Sequence, residues 1–233
     1  MKKYYLLSLL FTIALSASAN KPEGEYTNDN DYLVFNGDNI KFNISGFSGL
    51  STAQVGEGNF EVVDDFLIIN TTDFSGLKSS YEEVDATRKD TCVVKVTDPD
   101  GYAVSSILIE SKNKSGKTIE RKVTSNDGSV LLSDLSKVSR ISTSEMGYNN
   151  LLIDYHPSKD YKVTIVKNDI IENRTVVLKI ENIDDTSISL FLLTDNLDTK
   201  SNLTKELDKL QKKAKKANML PKPFIKQNAP FRR

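Results

Sequence analysis

The sequence predicts an all-β protein, in which an antiparallel β-sandwich is preceded by a small antiparallel β unit and followed by a basic helix. Two observations support this fold class. Short apolar or alternating runs recur between Gly, Asn, Asp, Ser and Pro residues over most of the 233-residue chain, as is typical of strands buried on one face. No helical periods lie between these runs, so the crossover helices of a parallel sheet are missing.

Residues 1–19, MKKYYLLSLLFTIALSASA, have the form of a signal peptide. Lys2 and Lys3 precede a short apolar run, and Ala17-Ser18-Ala19 places the cleavage before Asn20. No later segment approaches the about eighteen apolar residues that a membrane-spanning helix needs. We therefore expect an exported protein with no transmembrane segment after signal cleavage. Its expected location is the periplasm, the outer-membrane surface or the extracellular space.

Residues 20–75 are predicted to form the small antiparallel β unit. Its expected strands are 32–35, 40–44, 59–63 and 66–69, with a glycine-rich loop at 46–58. Ile40, Phe42 and Ile44 alternate with polar residues, which indicates burial on one side. The run DFLIIN at 65–70 does not alternate, which predicts burial on both faces or a bulge.

Residues 76–90 lose the two-residue period and gain charge, so they are predicted to be a linker. The sandwich is assigned to residues 91–198, because short strands separated by turn residues fit that architecture. The last two predicted strands alternate cleanly on either side of a turn at 182–185 and are expected to form a hairpin. The predicted strands are 92–96, 107–110, 120–124, 130–132, 151–155, 161–166, 175–180 and 188–193.

Residues 199–218 are predicted to be a basic amphipathic helix. Leu203, Leu207, Leu210, Ala214 and Ala217 recur at spacings of four and three residues, which places them on one face. Either Ser201 or Asn202 can cap this helix, and Pro221 ends it. Residues 219–233 contain three prolines and no apolar period, so we expect them to be extended or disordered.

The charges are segregated along the chain. Residues 200–233 have 11 basic and two acidic residues, a net charge of +9, whereas residues 20–199 have 18 basic and 30 acidic residues, a net charge of −12. The basic tail can therefore fold back on its own acidic body, bind an acidic partner, or lie on an anionic membrane or envelope polymer. A solvated helix that improves solubility is the remaining interpretation.

The single cysteine of the chain, Cys92, alternates with Val94 and Val96, which predicts a buried strand position. One cysteine cannot form an intramolecular disulfide bond, so the burial of apolar side chains must stabilise the fold. A cysteine nucleophile needs a base, and the one histidine, His156, follows an apolar run without a recognisable local setting. No catalytic pair is assigned to them.

Three segments together resemble the carboxypeptidase regulatory-like domain, a transthyretin-like (prealbumin-like) β-sandwich of exported bacterial proteins. They are VVKVTDPDGYAVSSILIE, VTSNDGSVLL and ISTSEMGY, within residues 91–180. The family positions fall on Val96, Asp98, Gly101 and Val104, on Thr124, Asp127, Gly128 and Leu132, and on Ser144, Gly147 and Tyr148. Ala103 and Ser105-Ser106 depart from the family pattern, which expects proline and a glycine step there.

Asp98-Pro99-Asp100-Gly101 poses a choice between a metal site and a turn. Pro99 fixes φ at the second turn position, Asp98 can accept backbone N–H groups, and Gly101 follows where positive φ is common. Calcium needs six to eight oxygens, normally with a closing bidentate glutamate. The segment is therefore predicted to be a turn, as is Asn126-Asp127-Gly128, and no metal or cofactor is assigned.

Residues 24–70 resemble half of a lipocalin-like barrel of secreted bacterial proteins, through a G-x-Y start, a strand pair and the run GEGNFEV. These fifty or so residues make four or five strands, whereas a ligand-holding barrel needs about eight. Phe42, Phe47, Phe60 and Phe66 are either core residues or the lining of a pocket.

We therefore expect a non-catalytic exported accessory or binding protein of the bacterial cell envelope. It would contact a partner through the sandwich surface or through residues 200–233. The alternative is a small-ligand binder, for a lipid or glycan, that uses the lipocalin-like unit. An enzyme is not predicted, because Glu82-Glu83 and Asp184-Asp185 are adjacent and neighbouring strand residues point to opposite faces. A nucleic-acid partner is not predicted either, because the tail has few aromatic residues.

Overall fold

The computed structural model describes residues 21–45, 53–198, 202–216 and 220–227. Strands dominate this part of the chain and one helix accompanies them, so the all-β prediction is confirmed. The first nine strands are β1 (Gly24–Asn28), β2 (Asp31–Asn36), β3 (Asn39–Ser45), β4 (Ala53–Val63), β5 (Phe66–Thr71), β6 (Ser80–Asp85), β7 (Cys92–Thr97), β8 (Leu108–Lys112) and β9 (Thr118–Val123). They are followed by β10 (Ser129–Leu132), β11 (Arg140–Ser144), β12 (Leu151–Asp154), β13 (Lys159–Thr164), β14 (Asp169–Ile170), β15 (Thr175–Ile183), β16 (Ser187–Thr194), the helix α1 (Leu203–Lys216) and β17 (Lys222–Lys226).

Eight strands close into an antiparallel barrel, which the sequence did not predict as a whole. β1 to β5 follow one another around the wall, β15, β16 and β17 continue it, and β17 pairs with β1. Every strand therefore neighbours the next barrel strand along the chain, as in an up-and-down barrel. The half-barrel seen in residues 24–70 is completed by segments more than a hundred residues further on.

The predicted hairpin of the last two sandwich strands is present but lies in the barrel. Leu178 pairs with Leu192 and Ile180 with Leu190, as the alternation indicated. β15 also pairs with β5, however, so that Val176 lies opposite Ile69. The strands at 175–180 and 188–193 were therefore assigned to the wrong sheet, because sequence order gives no sign that a strand pairs across a long insertion.

Residues 72–174 form that insertion between two neighbouring barrel strands. Its two ends meet where the Thr71 backbone N–H donates to the Arg174 carbonyl at 2.8 Å and the Thr71 hydroxyl donates to the same oxygen at 2.9 Å. The Glu172 carboxylate strengthens the junction by accepting the Phe74 N–H at 2.6 Å and the Lys78 ammonium at 2.5 Å. Insertions are tolerated at such places because the two ends of the inserted segment lie close together at the surface.

The insertion contains two four-stranded sheets, β10-β7-β13-β6 and β12-β11-β8-β9. Their inward residues form one apolar core in which Val94, Ile109 and Ile141 are fully buried. The predicted linker at 76–90 is corrected here, because β6 lies within it and pairs with β13. β6 is a charged edge strand, and an edge strand needs no apolar alternation. β11 was also missed.

β4 begins at Ala53, so residues 53–58 of the predicted glycine-rich loop at 46–58 are a strand. A Cβ on Gly58 would lie 2.1 Å from the Asn70 carbonyl oxygen, and one on Gly56 would lie 2.6 Å from the Phe42 ring. These glycines therefore allow β5 and an interior side chain to approach the strand closely. The residues at 46–52 are outside the described part.

The barrel interior is filled by apolar side chains, and α1 covers part of its outer wall. Phe66, Ile68 and Val177 point outward and pack against Leu207 of the helix, whereas Leu67 and Ile69 point into the interior. The run DFLIIN is thus buried on both faces, which is the first of the two alternatives that its lack of alternation predicted. Asn202 caps the helix, since its side-chain oxygen accepts the Lys205 N–H at 3.1 Å.

The C-terminal prediction is corrected at residues 222–226, which were expected to be extended or disordered. β17 lies between β1 and β16, with Thr27 opposite Ile225 and Ile188 opposite Phe224. Phe224 is fully buried in the barrel interior. One apolar residue beside a proline gives no period that a sequence pattern can detect.

Candidate functional site

Asp98-Pro99-Asp100-Gly101 is a turn. The Asp98 side-chain oxygen accepts the N–H groups of Asp100 at 3.0 Å and Tyr102 at 2.8 Å, and its carbonyl accepts the Gly101 N–H at 3.0 Å. Gly101 has a φ of 87°, which glycine adopts without strain. The Asp98 carboxylate is thus used within its own loop, as predicted.

Asp127 holds the next hairpin in the same way. Its carboxylate accepts the Ser125 hydroxyl at 2.6 Å and the Ser129 N–H at 3.0 Å, and the Ser125 hydroxyl lowers the pKa of the Asp127 carboxyl. Among the described residues, no three or more His, Cys, Asp or Glu side chains come together as a metal site would require.

Cys92 occupies the buried strand position that the alternation predicted, with no exposed surface. Burial raises the pKa of its thiol to about 12, so the thiolate that a nucleophile needs is not formed near neutral pH. His156 pairs elsewhere, because its Nδ1 lies 2.6 Å from Glu83 Oε1. The backbone N–H of His156 donates to the buried Tyr161 hydroxyl at 2.7 Å, which fixes the turn after β12.

Glu82 and Glu83 diverge as expected for neighbours on a strand, and Asp184 is used within a turn. Glu83 contacts His156, whereas Glu82 lies on the other face of β6 beside Lys162, with 3.9 Å between the charged atoms. The Asp184 carboxylate accepts the backbone N–H groups of Thr186 and Ser187, both at 2.8 Å. Asp184 therefore shapes the β15–β16 turn.

The four phenylalanines proposed for a pocket have different positions. Phe42 and Phe60 lie in the barrel interior and are almost fully buried, together with Phe35 and Phe224. Phe66 faces outward and packs under α1. Phe47 lies outside the described residues.

One end of the barrel, which we call the loop end, carries the inserted sandwich and the connection through α1. A buried polar cluster lies there: Asp31, only 3 % exposed, accepts the Ser45 N–H at 2.8 Å and forms an ion pair with Lys222. Lys222 belongs to β17, so this pair joins the last strand to the second. No local sequence pattern predicts this ion pair, because Asp31 and Lys222 lie far apart along the chain.

Helix α1 presents a row of lysines to solvent, which we call the lysine stripe: Lys205, Lys209, Lys212 and Lys216. All four are exposed, and their spacings of four, three and four place them on one face. Leu207 and Ala214 on the opposite face are buried against the barrel. Within the described residues, the ion pair of these lysines is that of Lys209 with Glu206 on the same helix.

The barrel against which α1 packs has a net charge opposite to that of the lysine stripe. Apart from β17, the barrel strands lie within residues 21–71 and 175–198. These two segments have 14 acidic and three basic residues. The inserted residues 72–174 have 16 acidic and 15 basic residues. The acidic excess of residues 20–199 therefore comes from the barrel segments, and the basic helix α1 packs against this acidic barrel.

These features define the chain as a closed eight-stranded barrel with an inserted sandwich and a lysine-bearing outer helix. Among the residues described, no helix is both long and apolar enough to cross a membrane. No family model matches the chain, and no curated protein or solved structure is significantly similar to it.

Proposed function

We propose that the chain is an exported, non-catalytic binding protein of the bacterial cell envelope, which contacts an acidic protein or an anionic envelope surface through the lysine stripe. The carrying observation is that Leu207 and Ala214 on the apolar face of α1 are already buried against the barrel while its lysines remain exposed. The helix therefore offers mainly charge to a partner, and Leu203 at its first turn is the exposed apolar residue of the described helix. Each lysine near an anionic surface contributes about 1 kcal/mol.

The proposed export rests on residues 1–19, whose charged start, apolar run and small residues are those of a signal peptide. They lie outside the described residues.

We also propose that the inserted sandwich is a carboxypeptidase regulatory-like domain with a prealbumin-like fold. The residues that carry the resemblance occupy positions with a structural role. Asp98 and Asp127 shape turns, Thr124 joins two strands by accepting the Ile107 N–H at 3.0 Å and donating to the Val104 carbonyl at 2.8 Å, and Tyr148 packs against the core. Non-catalytic contact modules are common in that family, which supports a binding role.

The lysine stripe is tested by changing Lys205, Lys209, Lys212 and Lys216 together to Gln in the full chain. The control changes Lys89, Lys114, Lys137 and Lys167 to Gln, because these four lysines are also exposed and form no ion pair within the described residues. The readout is the fraction of protein retained with native envelopes at low and high salt. We expect the stripe variant to lose at least tenfold in retention and the control to behave like the wild type. Equal retention of the stripe variant and the wild type would reject the proposal.

A second candidate function is the binding of a small apolar ligand in the barrel. The number of strands favours it, because about eight strands are enough to hold one small ligand. The side chains of Phe42, Phe60 and Phe224 occupy the interior, however, so binding requires them to move. Thermal midpoints measured with fatty acids, haem and neutral glycans test this candidate, and unchanged midpoints with all three would reject it.

A further inference from the structure

The outer face of the sheet β10-β7-β13-β6 carries a groove whose residues the sequence did not bring together. Its volume is about 420 Å³, which is within the range of small-molecule sites. It is lined by Ser80, Tyr81, Glu82, Lys95, Thr97, Lys162 and Thr164. Because the residues come from three strands and Lys95 and Lys162 lie 67 positions apart, no local pattern indicates the groove.

Two lysines lie side by side on its floor. Lys95 on β7 and Lys162 on β13 are direct partners in the parallel pairing of these strands, so their backbones lie about 4.8 Å apart. Like charges at such positions destabilise a sheet. Lys162 has a distant acidic neighbour, Glu82 at 3.9 Å, and within the described residues Lys95 has no ion pair. The arrangement would gain stability from an anion between the two ammonium groups.

The carboxylates on the same face do not compensate both charges. Glu82, the cross-strand partner of Lys162, lies 3.9 Å from it, and this leaves Lys95 without an ion pair within the described residues. Asp160 lies two positions before Lys162 along β13. Its carboxylate is occupied, because it accepts the Val93 N–H at 2.7 Å and the Arg88 guanidinium at 2.6 Å. The lysine pair therefore remains a local positive site on a sandwich that is almost neutral as a whole.

A row of hydroxyl groups lies next to the lysines. Thr164 pairs with Ser80 on one side and with Thr97 on the other, so three hydroxyl-bearing residues cross the sheet in one line. Tyr81 borders the groove, but it is the cross-strand partner of the buried Val163 and its ring lies against Tyr161 on the opposite face of β6. Hydroxyl groups both donate and accept hydrogen bonds.

We propose that this groove binds an acidic saccharide, with one sugar carboxylate between Lys95 and Lys162 and the sugar hydroxyls on the Ser80-Thr164-Thr97 row. A simple anion would use the two lysines alone, whereas a saccharide that carries a carboxylate uses the lysines and the hydroxyl row together. The site is separate from the lysine stripe of α1, so the loss of one contact leaves the other measurable.

The test uses the full mature chain and three probes: α-1,4-trigalacturonate, the same trisaccharide with its carboxylates methyl-esterified, and inorganic phosphate. Amide chemical shifts of β6, β7 and β13 are followed by NMR during titration. We expect the dissociation constant of trigalacturonate, measured from these amide shifts, to be at least tenfold lower than that of either of the other two probes. Binding of the ester with equal affinity, binding of phosphate with equal affinity, or no shift with trigalacturonate would each overturn the assignment.

Variants locate the binding. K95Q/K162Q is expected to weaken trigalacturonate binding at least tenfold, and T164V at least threefold, whereas K114Q/K117Q changes two exposed lysines of the β8–β9 turn and should have no effect. Removing the like-charge pair should leave the thermal midpoint of the free protein unchanged or higher. The single variants K95Q and K162Q provide the same comparison if the double variant does not fold. Unaltered affinity in these lysine variants would overturn the proposal.

Discussion

Replacing Phe224 with Ala is the sharpest perturbation of the barrel, because this side chain anchors the strand that closes it. Phe224 is fully buried and lies opposite Ile188 of β16. β17 has five residues and pairs with β1 on one side and β16 on the other. Loss of this one side chain therefore weakens the pairing of β17 with both β1 and β16.

The expected cost follows from complete burial. Removing a buried phenylalanine side chain costs about 3–5 kcal/mol, as the sum of lost transfer free energy and the cavity left behind. A typical domain is stable by about 5–15 kcal/mol. F224A should therefore remove a large part of the free energy of unfolding of the barrel while leaving the separate core of the sandwich intact.

The neighbouring residue provides a matched control. Ile225 is 54 % exposed and points away from the interior, so I225A should change stability by about 0.5 kcal/mol or less. Because the barrel interior and the inserted sandwich have separate apolar cores, the assay should resolve them, and peptide-level amide hydrogen exchange does so.

We expect exchange in β1, β16 and β17 of F224A to speed up by about a hundredfold to several thousandfold, as about 3–5 kcal/mol implies. Exchange in β7 and β13 of the sandwich should not change. If F224A and I225A gave the same small effect, the assignment of Phe224 to the barrel interior would be refuted.

Three further predictions concern β4, the buried thiol and the junction with the sandwich. G58A should destabilise the barrel by about 1–3 kcal/mol in urea unfolding, because the new Cβ would lie 2.1 Å from the Asn70 carbonyl oxygen; N59A, at an exposed position of β4, should have little effect, and equal midpoints would contradict the close approach. Burial raises the pKa of the Cys92 thiol to about 12 from 9.0, so its contribution to stability is present below pH 9 and is lost as the pH rises toward 12; a thiol reagent at pH 8 should label unfolded but not native protein, and fast labelling of the native state would contradict the burial. The Lys78 ammonium and the Phe74 N–H lower the pKa of Glu172. E172Q should therefore reduce the free energy of unfolding by about 1 kcal/mol or less at pH 7, and this difference should vanish in acid as the wild-type carboxylate takes up its proton. A pH-independent difference would show that the charge is not responsible.

Local patterns were sufficient for most individual elements. The alternation of Val176, Leu178 and Ile180 identified one strand of a hairpin, and the four-three spacing of Leu207, Leu210 and Ala214 identified the buried face of α1. The turn at Asp98 was also readable, because its residues satisfy each other's hydrogen bonds within five positions. In each case the physical cause lies within a short window of sequence.

The assembly of these elements was not readable in the same way. β5 and β15 are neighbours in the barrel although about a hundred residues separate them, and a two-residue period does not specify which strand is the partner. β17 was missed because Pro223 and a single buried Phe224 leave no period. The first part of β4, residues 53–58, was interpreted as a loop because its glycines allow close packing. Of the surface features, the lysine stripe was visible as a charge run, whereas Lys95 and Lys162 meet only through strand pairing.

The central claim is that the first and last described strands, β1 and β17, pair with each other to close one barrel, with the sandwich inserted between β5 and β15. Cross-strand NOEs between Thr27 and Ile225 test it most directly, because these residues are direct partners in the β1–β17 pairing. The account predicts these NOEs together with strand-like chemical shifts and slow exchange at residues 222–226. Random-coil shifts at residues 222–226, with no contact to β1, would contradict it.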